Sequence, residues 1–219
     1  MRMTQLETRV SGEGGRGEML GRRRTSAVDH SEVVLAAAEI IETEGPIAVS
    51  AERLARALDV PVRALDVDVD AVVAEAYRSL SVSEIAEVRR TILANHSPAE
   101  QMRALLTWLS TPPEDSDGVR LEAWALTRRN AALRAVVLEG EASWHGLVAS
   151  VVRRGARSND FRQADADEIA AHIISLIDGI NNYHTIGYRS DFDRMVLLTR
   201  VVQAELGLAW GPRLAEALA

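Results

Sequence analysis

The residue types that most often carry enzyme chemistry are scattered along this 219-residue sequence, which has no cysteine and five histidines. No two histidines are four residues apart, the spacing that places two zinc ligands on one helix face. Asp178 and His172 fall on one predicted helix, but scattered residues do not define a Ser/His/Asp arrangement. The sequence therefore predicts no catalytic residue, no metal, no cofactor and no enzymatic activity. The histidines are His30, His96, His145, His172 and His184.

Tryptophan is concentrated in the C-terminal half, although aromatic residues make up only 4% of the sequence. Trp108, Trp124 and Trp144 fall on three successive predicted helices, which indicates a shared apolar space. Ligand pockets are mostly apolar, with a few polar groups that orient the ligand. The alternative is that the tryptophans only fill the core. The candidate polar groups are His145, His172, Ser175, Asp178, Asn181, Asn182 and Tyr183.

A glycine in the middle of the same predicted helix supports a cavity nearby. Gly179 follows Asp178, and a glycine inside a helix costs up to about 1 kcal/mol relative to alanine. We therefore expect close packing or a kink at this position.

A segment near the N-terminus has the pattern of a helix-turn-helix. Apolar residues at helical spacing predict helices over 31–44, 51–58 and about 62–67, and a fourth helix capped by Asp70. Ser50 is suited to cap the second helix, because its hydroxyl can accept from the free amides of the first turn. Four short helices, the third presented after the tight turn at 59–61, are typical of a DNA-reading domain.

Helical patterns continue through most of the remaining chain and predict an all-α fold. Helices are expected over 82–94, 98–110, 119–129, 130–154, 165–184 and 191–206. We expect Asn130 to cap one of them and Gly155 to close it. Two prolines and three acids exclude helix from the loop at 111–118.

The last two predicted helices carry apolar stripes wider than the roughly 100° face that a surface helix needs. The surplus predicts a homodimer with a four-helix interface. The alternative is that both helices lie in the centre of a monomer. The expected interface residues are Ile169, Ile173, Leu176, Ile180, Met195, Leu198 and Val202.

The first 24 residues are rich in glycine, glutamate and arginine. Residues 1–21 lack the apolar region of a secretory signal and are predicted to be a flexible tail; the biological start is either Met1 or Met19. The run Arg22-Arg23-Arg24 is either an arm that contacts DNA phosphates and the minor groove or a solvated group of charges.

Composition limits the location and the partners of the chain. No stretch approaches the roughly 18 apolar residues of a membrane span, so no membrane association is expected. Together with the absence of cysteine, this predicts a cytoplasmic protein. The net charge of −7 restricts any DNA-binding surface to a local patch.

The helix-turn-helix region resembles the N-terminal domain of the tetracycline-repressor (TetR) family. The resemblance rests on VLAAAEII at 34–41, Gly45, VSAERLA at 49–55 and VPVRAL at 60–65. It covers about 22–80 by motif and continues by helix layout. It implies a small DNA-binding domain over 22–80, and a larger ligand-binding and dimerisation domain over 81–219.

Three departures from the family pattern fall around the third helix. Asp59 replaces the usual glycine of the turn, and Asp70 stands where a lysine usually opens the fourth helix. An aromatic pair with a histidine is usual where this chain has 66–69, Asp-Val-Asp-Val. Phosphate contact needs Lys or Arg, and segment 59–70 offers only Arg63 against four aspartates.

The resemblance implies a ligand-responsive transcriptional regulator, a repressor, that binds palindromic double-stranded operator DNA as a homodimer. A small hydrophobic molecule would release it from DNA. The second hypothesis is a TetR-like dimer with a degraded DNA reader that binds a ligand or a protein partner. The expected DNA contacts are Arg22, Arg23, Arg24, Ser50, Arg53, Pro61, Val62, Arg63 and Ala64.

Overall fold

The computed structural model describes residues 28–110, 116–188 and 194–208. Within these ranges the chain forms eight α-helices and two three-residue 3-10 turns and contains no strand. The predicted all-α fold, with a helix-turn-helix region before a larger helical domain, is confirmed. The helices are α1 (His30–Glu44), α2 (Ala51–Ala57), α3 (Val69–Leu93), α4 (Pro98–Ser110), α5 (Ser116–Leu126), α6 (Ala131–Arg157), α7 (Ala166–Thr185) and α8 (Arg194–Leu206).

Side-chain caps fix where several helices begin. The Ser50 hydroxyl accepts from the Arg53 amide at 3.1 Å, and the Asn130 side chain accepts from the Leu133 amide at 2.8 Å, both as predicted. Asp29 caps α1. The cap of α3 is Asp68, whose carboxylate accepts from the amides of residues 70 and 71, so the cap lies two residues before the predicted Asp70 and α3 begins at Val69.

The helix predicted over 62–67 is wrong: the segment forms only the 3-10 turn Val62–Ala64, and the backbone is extended again at Leu65. The alternating valines and aspartates at 66–69 are poor helix formers. No residue of the turn is buried, and only Leu65 and Val67 of the predicted helix pack partly against an apolar cluster, which is too little to offset the cost of starting a helix this short.

Other helix boundaries also differ from prediction. Helix α3 is one 25-residue helix where two were predicted, and α5 begins at Ser116, inside the predicted loop. Helix α6 continues past Gly155 to Arg157. This glycine does not end the helix; it is buried because the Phe161 ring packs directly onto its backbone. Residues 1–27, with the predicted tail and the Arg22–24 arm, lie outside the described residues, as do the prolines at 112 and 113.

Two apolar clusters hold the helices together. The N-terminal core contains the buried faces of α1 and α2, the start of α3, the C-terminal part of α5 and the first turns of α6. The C-terminal core contains the end of α3, α4, the second half of α6, α7 and α8. Both α3 and α6 pass from one core to the other. The N-terminal core therefore includes Ala123, Leu126, Leu133, Val136 and Val137, which lie beyond the predicted domain boundary at residue 80.

The apolar stripes of α7 and α8 face the inside of the chain. Five of the seven residues predicted at the dimer interface are at most 8% exposed within a single chain and belong to the C-terminal core. Those five cannot form a surface for a partner, so their assignment to the interface is wrong. They are Ile169, Ile173, Met195, Leu198 and Val202. Only Leu176 and Ile180 remain partly exposed at its edge.

Candidate ligand site and DNA-contact surface

A cavity of about 440 Å³ lies between the two cores. Its walls come from α1, α3, α4, α5, α6 and α7, so side chains of the helix-turn-helix region and of the C-terminal core meet there. We call it the inter-core cavity. It is lined by Glu42, Tyr77, Leu80, Ser81, Ser83, Glu84, Glu87, Trp108, Leu109, Val119, Arg120, Val137, Gly140, Glu141, Trp144, Ile177 and Asn181.

Two of the three predicted tryptophans line this cavity together. The rings of Trp108 and Trp144 are tilted by 31° with their centroids 5.3 Å apart. Trp124 does not line it; its ring packs against the N-terminal core and lies 5.3 Å from the guanidinium carbon of Arg120. The prediction of one space shared by all three tryptophans is therefore correct for two of them.

The cavity wall is more acidic than the sequence suggested. Four glutamates line it against one arginine, and Arg120 is itself occupied by acids. Its Nη2 donates to Glu141 Oε1 at 2.9 Å and Oε2 at 3.1 Å, and lies 3.3 Å from Asp178 Oδ1. The field in the cavity therefore favours a positively charged ligand over an anion.

Tyr77 is a neutral hydroxyl in this wall. Burial raises the pKa of Tyr77 to about 12; Arg120 opposes the rise, and the charges of Glu84 and Glu141 add to it. The phenol therefore stays protonated at physiological pH and is available as a donor or acceptor.

The predicted polar residues of the ligand site divide by helix face. Asn181 lines the cavity one turn after Ile177, and its side-chain oxygen accepts from Arg194 at 3.1 Å. Asp178 lies at the edge through its contact with Arg120. The remaining five do not line the cavity; for Ser175 on α7 the reason is geometric, because a residue two positions from Ile177 is turned by about 200°. They are His145, His172, Ser175, Asn182 and Tyr183.

The glycine predicted beside a cavity is instead exposed. A Cβ atom added to Gly179 would meet no atom within 4 Å, so neither close packing within the chain nor contact with the cavity explains it. His172, on the same exposed side of α7, lies 3.5 Å from Glu205 rather than near a ligand. No group of three or more His, Cys, Asp or Glu suited to a metal occurs in the described part of the chain.

Four residues of the wall were not predicted from the sequence: Tyr77, Glu84, Arg120 and Glu141. A usable signal was present in α3, where Tyr77, Leu80 and Glu84 are spaced as one helix face, so the glutamate sits on an otherwise apolar stripe. Arg120 and Glu141 give no such signal, because only the packing of α5 on α6 brings them together.

The predicted DNA-contact residues of the helix-turn-helix region are exposed from Pro61 to Ala64. Arg63 is the one cation on that turn. Arg53 is committed elsewhere: its Nε donates to Glu44 Oε1 at 3.0 Å and Oε2 at 3.2 Å, and this pairing lowers the pKa of Glu44. Ser50 is engaged as the cap of α2. Asp59 holds the turn with φ at 52°, the left-handed region.

Residues 98–207, half of the chain, match the model of the C-terminal domain of BetI-type transcriptional repressors. The chain belongs to the TetR family of transcriptional regulators. A comparison with curated proteins found no significant match. None of the helices in the described ranges is both long and apolar enough to cross a membrane.

Solved structures of transcriptional regulators share this fold. A transcriptional regulator from Saccharomonospora viridis in complex with choline has a TM-score of 0.71 at 20% identity, covering 81% of this chain and 96% of its own. A TetR-family regulator from Cytophaga hutchinsonii gives 0.65 at 19% identity, covering 82% and 96%. The regulator FadR from Bacillus subtilis, in complex with stearoyl-CoA, gives 0.61 at 14% identity, covering 83% and 100%.

Proposed function

We propose that this protein is a ligand-responsive transcriptional repressor that works as a homodimer and whose effector is a small organic cation. The observation that carries the proposal is the inter-core cavity, with paired tryptophan rings and four glutamates in its wall. Its position between the DNA-binding region and the C-terminal core suits a site that controls DNA binding. Because the cavity wall is acidic, we propose a cationic effector in place of the purely hydrophobic effector expected from the sequence.

Three properties of the cavity support a small cation. Tryptophan faces attract quaternary ammonium groups through the ring quadrupole. Four carboxylates against one guanidinium add a net negative field. A volume of about 440 Å³ is at the lower end of the range for ligand pockets. The choline complex of the Saccharomonospora viridis regulator supports the same ligand class, whereas the phosphates of an acyl-CoA would be repelled by this wall.

The ligand class is tested by titrating tryptophan fluorescence with choline and with its uncharged carbon analogue, 3,3-dimethyl-1-butanol. We expect saturable quenching by choline and binding of the neutral analogue at least tenfold weaker. Glu84→Gln should weaken choline binding about tenfold, while Glu139→Gln, on the surface pair with Arg78, should not. Equal affinity for the charged and the neutral compound would contradict a cation site.

The exposed side of α7 is the surface we propose for the dimer. It carries His172, Ser175, Gly179 and Tyr183, and its C-cap Ile186 continues the same stripe, opposite the buried one. Gly179 and Ser175 let a second helix approach closely, and Tyr183 and Ile186 are 53% and 68% exposed in the single chain. Exposed apolar side chains beside small residues suit an isologous helix-to-helix contact.

We propose that DNA is contacted by Arg63 and the other residues of the turn Val62–Ala64, supplemented by the Arg22–24 arm. The second candidate function is a regulator-like dimer that binds its ligand but no operator. That alternative is supported by the loss of the recognition helix, since the turn Val62–Ala64 is three residues long, and by the pairing of Arg53 with Glu44.

A mobility-shift assay at low and moderate salt separates the two candidates. Operator binding should give a shift with the DNA upstream of the protein's own gene, weaken steeply as salt rises and be reversed by choline. Arg63→Ala should reduce affinity at least fivefold, with Arg157→Ala, an exposed arginine at the end of α6, as the control of equal charge. If the folded wild type gives no mobility shift of the DNA even at low salt, the second candidate function is favoured.

A further inference from the structure

Arg120 occupies the kind of site to which an organic cation would bind. Its guanidinium is held by the Glu141 carboxylate at 2.9 and 3.1 Å, lies 3.3 Å from the Asp178 carboxylate and stands 5.3 Å from the ring centroid of Trp124. Carboxylates and an aromatic face are also the groups that recognise ammonium ligands. All three side chains of this ion-pair group are largely shielded, with exposures of 18 to 26%.

The hydrogen-bond donors of the Arg120 guanidinium are incompletely satisfied. Its Nε is buried without a hydrogen-bond partner, while Nη2 contacts the carboxylates of both Glu141 and Asp178. A buried donor without a partner is unfavourable, and a guanidinium can offer two parallel bonds to one carboxylate. This arrangement is therefore less stable than a forked pair would be, and a competing cation can displace it more easily.

The helix that carries Arg120 also contacts the DNA-binding region. Two residues further along α5, Glu122 accepts from the Ile47 amide at 3.4 Å, in the 3-10 turn Pro46–Ala48. The same carboxylate lies where a Cβ atom of Gly45 would be, so its approach requires a glycine there, and the φ of 85° also favours glycine. Helix α5 packs on α6 and α7 at one side and on α1 and this turn at the other.

We propose that Arg120 is a tethered competitor for the effector: the incoming cation takes over Glu141 and Asp178, and the released arginine lets α5 shift against the turn at Ile47. This inference rests on the proposed cationic effector and adds its link to the DNA-binding region. Arg120 opposes ligand binding and couples it to α5, so its removal strengthens binding and abolishes the response.

The test uses the full-length chain and choline as the probe, with affinity read from tryptophan fluorescence and the response read from the backbone amide NMR signal of Ile47. Wild type should bind choline and shift the Ile47 signal. Arg120→Met should bind choline at least tenfold tighter and show no ligand-dependent shift of that signal. Arg120→Gln is the second variant if methionine compromises folding, which circular dichroism reports.

Two further variants separate competition from coupling. Arg78→Met removes an arginine from an exposed ion pair between α3 and α6, with Glu139 at 3.1 Å, and should leave choline affinity unchanged. Glu122→Gln should bind choline like wild type but lose most of the Ile47 response. If wild type binds choline and neither Arg120 variant binds it more tightly, the competitor role is overturned. If wild type binds no organic cation, the proposed effector fails as well.

Discussion

At the scale of single residues, the backbone of Asp59 is strained in the turn that follows α2. Its φ of 52° is a conformation that costs most L-residues about 1–2 kcal/mol. Asp59→Gly should therefore raise the free energy of unfolding by up to about 1 kcal/mol, measured by urea denaturation, since glycine's larger unfolded-state entropy offsets part of the gain.

Asn159→Gly is the matched control, because its φ of 60° poses the same backbone problem far from the DNA-binding region. Both substitutions should stabilise the chain, whereas only Asp59→Gly removes a carboxylate from the segment that carries Arg63 and should strengthen the proposed DNA binding. An equal effect of the two on DNA affinity would contradict a contact surface at this turn.

Tyr77 predicts a stability change at alkaline pH. With a folded pKa of about 12 against about 10 in the unfolded chain, the neutral phenol is favoured by the fold. Its contribution is constant below pH 10 and is lost as pH rises from 10 to 12, because only the unfolded state ionises there. The stability of wild type relative to Tyr77→Phe should fall by roughly 2 kcal/mol over that window, as followed by denaturant unfolding. If the stabilities of wild type and Tyr77→Phe change in parallel with pH, this prediction is contradicted.

At the scale of helices, the contact between the end of α6 and the segment before α7 depends on Gly155. The amides of Asp160 and Phe161 both donate to its carbonyl, at 2.9 and 3.1 Å, and the Phe161 ring occupies the place of a Cβ. Gly155→Ala should destabilise the chain by about 1–3 kcal/mol through overpacking, measured as a fall in thermal midpoint.

Gly146→Ala, on the same helix, is the control for Gly155→Ala. An added Cβ there meets nothing within 4 Å, so this substitution should stabilise α6 by up to about 1 kcal/mol. A similar loss at both positions would show that the Phe161 contact is not the cause.

Helices were predictable from the sequence where local signals and burial agreed. Ser50 and Asn130 cap as expected, and the predicted 98–110 matches α4, since Pro98 suits the first turn and its apolar stripe is buried. The helix at 62–67 failed because none of residues 62–64 is buried, while Leu65 and Val67 pack only partly against the N-terminal core. For the cavity, Trp108, Trp144 and Asn181 were predicted, whereas the pairing of Arg120 with Glu141 depends on helix packing that no local pattern encodes.

At the scale of the whole molecule, the proposed dimer makes a prediction about size. Ile186 is 68% exposed in the single chain, so Ile186→Asp should leave the thermal midpoint of the isolated subunit unchanged. It should nevertheless convert dimers to monomers in analytical ultracentrifugation, because a buried unpaired carboxylate is strongly unfavourable. Val82→Asp, 61% exposed on α3, is the control and should remain dimeric. A dimer that survives Ile186→Asp would place the interface elsewhere.

The passage of α3 and α6 through both cores has a consequence for engineering. A fragment cut after Leu80 would lose Leu126, Leu133 and Val136, which are at most 9% exposed and complete the N-terminal core. Such a fragment should be insoluble or molten, and a chimera that grafts only residues 28–80 onto another regulator should fail to fold. The transplantable module instead has to include α5 and the first turns of α6, so the proposed DNA-binding region cannot be exchanged without also transferring part of the wall of the inter-core cavity.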